Sequence, residues 1–596
     1  MNSIVNILTQ KKIAAYGFWL FCSLLLYGNT LNHEFALDDD LVIRQNIHVQ
    51  NGIAGIPEIF SHSHTHGFSG QEDLGYRPVP LTLFAILKTV SDTPKTYHLI
   101  NIVLYGLAVG LFFQLLISID RIKPSMAMVI AALFFVHPIH TEVVANIKGL
   151  EDILQFGFLM LMLLSLYKYK GSNNLKHVIL SLSAFFLALL TKEIAVTFIA
   201  IIPLFLVVSS DLKPIRILKL TGLYALMLGV YFGLRSLVLG NVESTELEAL
   251  NNALVTAGSL SSQIASALWL QVIYLGKFIY PATLSFDYSF NEYPLIELFS
   301  LKGIIAVIVA CLMMGLAVFG IWKKKFYGFG LAFYLITMSI VSNIFFLIGS
   351  TMADRFLFTA SAGLCIAAVM LVDAYFPKKF LRWTAFALIP VILVMAGRTF
   401  DRNKDWKNND TLYTADLENA PNSTRTHFAY GGLMLEQSGQ ARNQQEHVQL
   451  LNKAKKHLSK SVEILPSNFE AWYNLGVVEQ RMGNENVAIT CYETCLKYAP
   501  ERAIAYNNLG FIYFNRKDME KAEVNFRKAY EFNRRSPEIV SNMGLVYHSN
   551  GEYEKAIPYY EEALKIDPKH ANTIQNLIRI YEAIGDDERA NYYRSR

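Results

Sequence analysis

The sequence predicts an all-α protein in two parts: a polytopic transmembrane helical domain of about 11 spans in residues 1–397, then an α-solenoid of repeated helix pairs in residues 425–596. Three observations predict it. Apolar blocks of membrane-spanning length recur throughout 1–397. The chain is 53% hydrophobic and 17% charged, whereas a soluble domain carries about 25% charge. From residue 469 onward, a pattern of aromatic and small residues returns every 34 residues. The same totals exclude disorder, collagen and a disulfide-stapled miniprotein. A net charge of +4 over 596 residues provides no basis for nucleic-acid binding.

The apolar blocks lie near 13–31, 97–119, 124–138, 151–169, 175–191, 194–210, 215–239, 301–322, 327–349, 355–376 and 380–397. A helix needs about 20 mostly apolar residues to cross a bilayer, because backbone groups cannot be left unpaired in lipid. The third block is short and extends toward residue 147. The first resembles a signal sequence, but no small-residue cleavage site follows it, so it reads as a retained anchor. The apolar segment 262–281 breaks the alternation of connections if counted as a span, and is assigned as interfacial or re-entrant.

Basic residues stay on the cytoplasmic side of a bilayer. Lys11 and Lys12 precede the first span, and Arg121/Lys123, Lys168/Lys170/Lys176, Lys213/Arg216/Lys219, Lys323–Lys325 and Lys378/Lys379/Arg382 occupy every second connection. A cytoplasmic N-terminus follows, in the inner membrane if the chain is bacterial, with the long first loop 32–96 outside. That loop holds LDDDLVIRQN, SHSHTHG, GYRPVP and an amphipathic stretch, PLTLFAILKTV, expected on the membrane surface. Its chemical density suits an enzyme at the outer surface. Transporters place their ionisable residues near mid-membrane instead.

In the C-terminal part, one copy of the repeat has Trp472, Leu475, Gly476, Ala488, Tyr492 and Pro500. The next has Tyr506, Leu509, Gly510, Tyr513, Ala522, Phe526 and Ala529, and a third has Met543, Gly544, Tyr547, Ala556, Tyr560, Ala563 and Pro568. A fading fourth, with Leu577, Tyr581 and Ala590, suits a terminal cap. Upstream, Phe428, Gly432, Ala454 and Pro466 fit an earlier copy with about ten extra residues between its helices. This is the period of tetratricopeptide (TPR) helix pairs, whose stacks form concave grooves for extended peptides. A plain scaffold is the alternative. Residues 398–424 read as a polar connector, and the topology places the array outside the cytoplasm. Five cysteines are too few for a disulfide framework, and Cys491 and Cys495, four apart, read as core packing.

Several residues could carry chemistry. Asp38, Asp39 and Asp40 follow the first span closely, and crowded carboxylates raise the pKa of at least one, which helps a general base. A wet loop entrance is the plain alternative. Arg77 and Arg355 sit at outer membrane edges, where a guanidinium can clamp a lipid phosphate. Snorkelling is the ordinary role there, as it is for Arg235. In HPIHTE (137–142), His137, His140 and Glu142 form either a polar active-site wall or, at a spacing not standard for zinc, a metal site. Lys192 and Glu193 are either a self-neutralising pair or a lysine facing phosphate. His62, His64 and His66 alternate, so an extended segment would present all three to one divalent ion; a polar surface loop is the plainer reading.

The combination of FALDDDLVIRQN (35–46), YRPVPLTLF (76–84), HLINIVLY (98–105), HPIHTEVVANIKGLEDIL (137–154), KEIAV (192–196), MADRFLF (352–358) and the repeats resembles the transmembrane-and-TPR-containing family of O-mannosyltransferases, within the C-type glycosyltransferase superfold. The likeness covers nearly the whole chain. It implies a polyprenyl- or dolichyl-phosphate-linked sugar as donor, mannose in the family, and a protein hydroxyl as acceptor, bound by the repeats. In that family an acid of the first outer loop is the catalytic base, and the paired carboxylates fall on Asp38 and Asp39 here. The assignment that follows has Asp38 as base, Asp39 as its partner or the ligand of a possible divalent cation, and Arg77 and Arg355 as phosphate clamps. His137, His140, Glu142 and Lys192 complete the substrate site. The alternatives are transfer to an envelope glycan or lipid, and a non-catalytic membrane-anchored TPR scaffold.

Overall fold

The computed structural model describes residues 7–240, 247–376 and 381–596, with backbone alone for 381–387. Contacts divide the chain into two units at Asn422/Ser423. No strand occurs among the described residues, and both units are helical.

In the first unit the main helices are α1 (Lys12–Tyr27), α2 (Pro78–Val90), α3 (Pro94–Ser118), α4 (Pro124–Phe135), α5 (Leu150–Ser172), α6 (Leu175–Leu189) and α7 (Phe198–Ser209). They continue as α8 (Pro214–Leu239), α9 (Leu260–Ile279), α10 (Leu301–Trp322), α11 (Phe326–Ser339), α12 (Leu357–Tyr375), α13 (Leu381–Asn403) and α14 (Asn409–Asn419). Proline opens α2, α3, α4 and α8, where its fixed φ suits the first turn and its missing N–H costs no bond. The core is aromatic: Trp19, Tyr27, Tyr105, Phe112, Phe134, Phe156 and Phe358 are buried together.

Among the described residues, six helical stretches are long and apolar enough to cross a membrane: Lys12–Asn32, Pro94–Ser118, Ile147–Ser172, Pro214–Leu239, Leu301–Trp322 and Asp354–Tyr375. A seventh forms if Pro124–Phe135 and Pro138–Ala145, bent by 53° at the break, count as one span. Pro138, with no N–H to donate, stands at that bend. The expected spans 175–191, 194–210 and 327–349 are shorter apolar helices, and the last stops at Ser339. Lys378, Lys379 and the start of the 380–397 span lie outside the described residues, as does the side chain of Arg382.

Two segments are anchored by buried residues. The PLTLFAILKTV stretch, within α2, buries Leu81, Phe84, Ala85 and Leu87 in a small core with Val42, Ile43, Val49 and Ile59 of the first loop and Tyr97, Ile147 and Leu150 beyond it, while Ile86 and Val90 remain exposed. The polar connector 398–424 is anchored in the first unit over much of its length. α13 runs on to Asn403, Trp406 and Leu412 are buried, and Asp416 accepts bonds from Arg402 Nη2 (2.7 Å) and the Phe286 N–H (2.7 Å). Its polar composition concealed these few anchors.

The second unit holds ten helices in five pairs, α15 (Thr424–Ser438) to α24 (Asp587–Arg594). Within pairs, glycine permits close approach: a Cβ at Gly476 would lie 2.6 Å from the Tyr492 ring, and one at Gly510 would lie 2.7 Å from Phe526. In the first pair this place belongs to Gly431, which faces Leu458, and not to the expected Gly432. Much of the extra length in that pair sits in its second helix, α16 (Gln444–Ile464), of 21 residues. Leu577, Tyr581 and Ala590 close the stack as buried residues of the last pair.

Candidate functional site

The first loop delivers three consecutive aspartates in three directions. Leu37 has φ = 54°, a left-handed conformation that a bulky residue rarely adopts, and its N–H donates to Asn409 Oδ1 at 2.7 Å. After this turn Asp38 enters a cavity. Asp39 points inward, 1% exposed, where Oδ2 accepts the Ala36 N–H (2.9 Å) and Oδ1 the Lys148 N–H (2.9 Å). Burial pushes its pKa up to about 7, against the pull of those two N–H groups, while the charge of Asp38 adds to the rise. Asp40 turns to the surface and pairs with Arg44 at 3.0 Å. The residues Asp40–Arg44 form one π-helical turn, a feature frequent at functional sites.

Opposite this run lies the turn Asn146–Gly149, between the broken α4 segment and α5. Lys148 Nζ meets Asp38 Oδ2 at 2.8 Å, so one lysine engages Asp39 through its backbone and Asp38 through its side chain. The turn is held from outside by Asn101, whose Nδ2 donates to the Asn146 carbonyl at 3.0 Å. Gly149 lets it close on itself: a Cβ there would lie 2.0 Å from the Val143 carbonyl oxygen.

The cavity, of about 240 Å³, is lined by four cations and four carboxylates in pairs. Besides Lys148–Asp38, Lys192 Nζ meets Asp152 Oδ2 at 2.6 Å and Arg355 Nη1 meets Glu142 Oε1 at 2.6 Å. Arg77 reaches Glu151 Oε2 through Nη1 (2.7 Å) and grips Glu193 through Nε and Nη2. Burial works against the charge on Arg77, but Glu193 and Glu151 outweigh it and hold the guanidinium above its ordinary pKa. Gln155 fixes Lys192 by donating to its carbonyl at 2.7 Å. Charges withdrawn from water cost free energy unless paired, so the pairing is what permits so many in one place.

Of the residues expected from sequence, the structure gathers Asp38, Arg77, Glu142, Lys192 and Arg355 around this cavity. Asp39 adjoins it from behind, with both oxygens engaged by backbone. His137 and His140 do not line it. His140 is fully buried between Phe134 and Phe358, bonded to Tyr105 OH and Ser361 Oγ, both at 2.9 Å. His137 Nε2 donates to the Phe278 carbonyl at 2.9 Å. The HPIHTE motif therefore splits: its imidazoles serve packing and only Glu142 faces the cavity. Arg235 binds the Leu74 carbonyl, away from it. Lys148, Glu151 and Asp152 are cavity residues to which the sequence reading assigns no role, although they lie in the stretch 137–154 that carries the family resemblance. They stood in view as KGLED at a span start, where acids in an apolar helix are costly unless used. Of the three alternating histidines, His64 alone lines the cavity.

Tetratricopeptide-repeat family models match residues 467–535 and 537–570. Among curated proteins, a protein O-mannosyl-transferase of Caenorhabditis elegans is 26% identical over 423 residues, covering 69% of this chain and 59% of that protein. The mouse protein O-mannosyl-transferase TMTC3 is 24% identical over 562 residues, covering 84% of this chain and 58% of its own length. Mouse TMTC4 is 23% identical over 480 residues, with 70% and 64% covered. The chain thus spans less than two thirds of the length of each of these relatives. By these likenesses it is a distant homologue, at low identity over most of its length, of the TMTC protein O-mannosyl-transferases, with tetratricopeptide repeats in its C-terminal unit.

Proposed function

We propose that this chain is a multi-pass membrane glycosyltransferase that moves a sugar, mannose by analogy with its relatives, from a polyprenyl-phosphate carrier to a hydroxyl of a protein acceptor. The reaction takes place on the non-cytoplasmic side, and the TPR array binds the polypeptide. The observation that carries this reading is the cavity itself: four cations face one space with a reachable carboxylate, Asp38, whose side chain is 37% exposed.

The chemistry needs little else. The acceptor oxygen bonds to the anomeric carbon as the bond from that carbon to the phosphate oxygen breaks, inverting the centre. The acceptor proton passes to Asp38. The lipid phosphate leaves as a stable anion, so it needs cations and hydrogen-bond donors and not a strong acid. Glycosidases expel an alcohol and so use two carboxyl groups. When Asp38 takes the proton its charge is lost, and Lys148 is released from its partner to meet the phosphate. Arg77, Lys192 and Arg355 hold the rest of the anion.

Membranes containing the wild type, given a labelled polyprenyl-phosphate mannose, should pass label to protein, and Asp38→Asn should lower the rate by about 10²–10⁴-fold. Label moving to glycan or lipid would assign a different acceptor. Transfer unaffected by Asp38→Asn would leave the membrane-anchored scaffold as the better account.

A further inference from the structure

The first loop carries a second constellation outside the cavity. His62, His66 and Glu72 each offer one ligand atom, and these atoms all lie within 4.8 Å of one another. The His62 and His66 rings are stacked, with centroids 3.8 Å apart, and the His48 ring lies parallel to both. His62 Nδ1 is 2.5 Å from Glu72 Oε1.

Each of these side chains is also oriented through its other polar atom. His62 Nε2 faces Glu58 Oε2 at 3.3 Å. His66 Nδ1 faces His48 Nε2 at 2.9 Å. Glu72 Oε2 accepts the Ser63 N–H at 2.6 Å. A metal-binding histidine typically donates its remaining N–H to an acceptor, which fixes ring and tautomer. Here both histidines and the carboxylate have such a partner, and because an imidazole nitrogen binds a metal in its own ring plane, one of the two stacked rings turns about its Cβ–Cγ bond when the ion binds. His64 points elsewhere, to the cavity wall.

We propose that His62 Nδ1, His66 Nε2 and Glu72 Oε1 bind a divalent first-row transition ion of the Zn²⁺ type. Two imidazoles with one carboxylate favour such an ion over Mg²⁺ or Ca²⁺, which take oxygen ligands. A water fills the fourth position. The ion clips the histidine arm of the loop to the 71–73 arm and fixes His64, between the two histidine ligands, at the cavity. Its role is to order this wall. Nothing in the inference depends on which sugar or acceptor the cavity serves.

The test uses the full-length chain in detergent or nanodiscs, stripped with EDTA and titrated with Zn²⁺ and with Co²⁺ as a spectroscopic probe. Uptake of one ion per chain, with visible Co²⁺ absorption bands of nitrogen and oxygen coordination, is expected. His62→Ala and Glu72→Gln should weaken binding by about 100-fold, and Glu58→Gln by about tenfold. His64→Ala should leave the affinity unchanged. Occupancy should also slow proteolysis between residues 61 and 76. Absence of a one-to-one Co²⁺ spectrum in the wild type would overturn the proposal, and so would equal affinity in His62→Ala/His66→Ala. The wild-type spectrum decides the matter even if the variants fail to fold, and no sugar transfer enters the readout.

Discussion

Lys148 Nζ lies 2.8 Å from Asp38 Oδ2, across 110 residues of chain, and the N–H of the same lysine donates to Asp39. One residue thus fixes the reachable carboxylate and the buried one behind it. In the proposed reaction Lys148 first holds the base and then meets the departing phosphate. Lys148→Met should lower the transfer rate by about 10–100-fold, the effect of losing one charged hydrogen bond. The backbone donor to Asp39 survives in this variant, so thermal unfolding should change much less than the rate.

Gly149 closes the turn that presents Lys148. A methyl group there would sit 2.0 Å from the Val143 carbonyl oxygen, and backbone yields less readily than a side chain. Gly149→Ala should destabilise the first unit by about 1–3 kcal/mol and lower transfer activity, both from displacement of the turn. A melting temperature equal to wild type would contradict this.

Asp39 makes stability depend on pH in a stated direction. Its folded pKa, near 7, lies above the ordinary aspartate value because burial disfavours the charge. The folded state therefore holds a proton that the unfolded chain has released between about pH 4 and 7, and this contribution to stability, full below pH 4, is lost as pH rises through 7. Asp39→Asn cannot ionise. Its stability deficit against wild type, measured by thermal unfolding, should narrow from pH 5 to pH 8.

Arg77 stands between Glu151, which is buried, and Glu193. Removing the cation strands a buried carboxylate, so Arg77→Met should cost about 3–5 kcal/mol. The triple variant Arg77→Met/Glu151→Gln/Glu193→Gln should recover much of that loss while remaining inactive. Recovery of stability without activity separates the packing of the cluster from its use.

The membrane helices and the repeats were legible because their signals are periodic and local. Gly476 and Gly510 face Tyr492 and Phe526 within one helix pair, and the 34-residue spacing announces as much. The site was legible only in part. DDD reads as one cluster, yet it enters a helical turn just after the left-handed Leu37, where successive side chains point in different directions. HPIHTE reads as three polar ligands, yet an imidazole buried with both nitrogens bonded, as His140 is to Tyr105 and Ser361, is a stable core residue. Lys148 drew no notice because its partners are more than 100 residues away. The segment 398–424 reads as a polar connector because Trp406 and Leu412 are few among polar neighbours, though burial of those few anchors it.

The most direct measurement of the central claim compares Asp38→Asn, Asp39→Asn and Asp40→Asn in single-turnover transfer from a labelled polyprenyl-phosphate sugar. If Asp38 accepts the proton, its variant loses about 10²–10⁴-fold in rate, and Asp40→Asn, whose side chain faces Arg44 at the surface, stays near wild type. Equal rates for Asp38→Asn and Asp40→Asn would contradict the account.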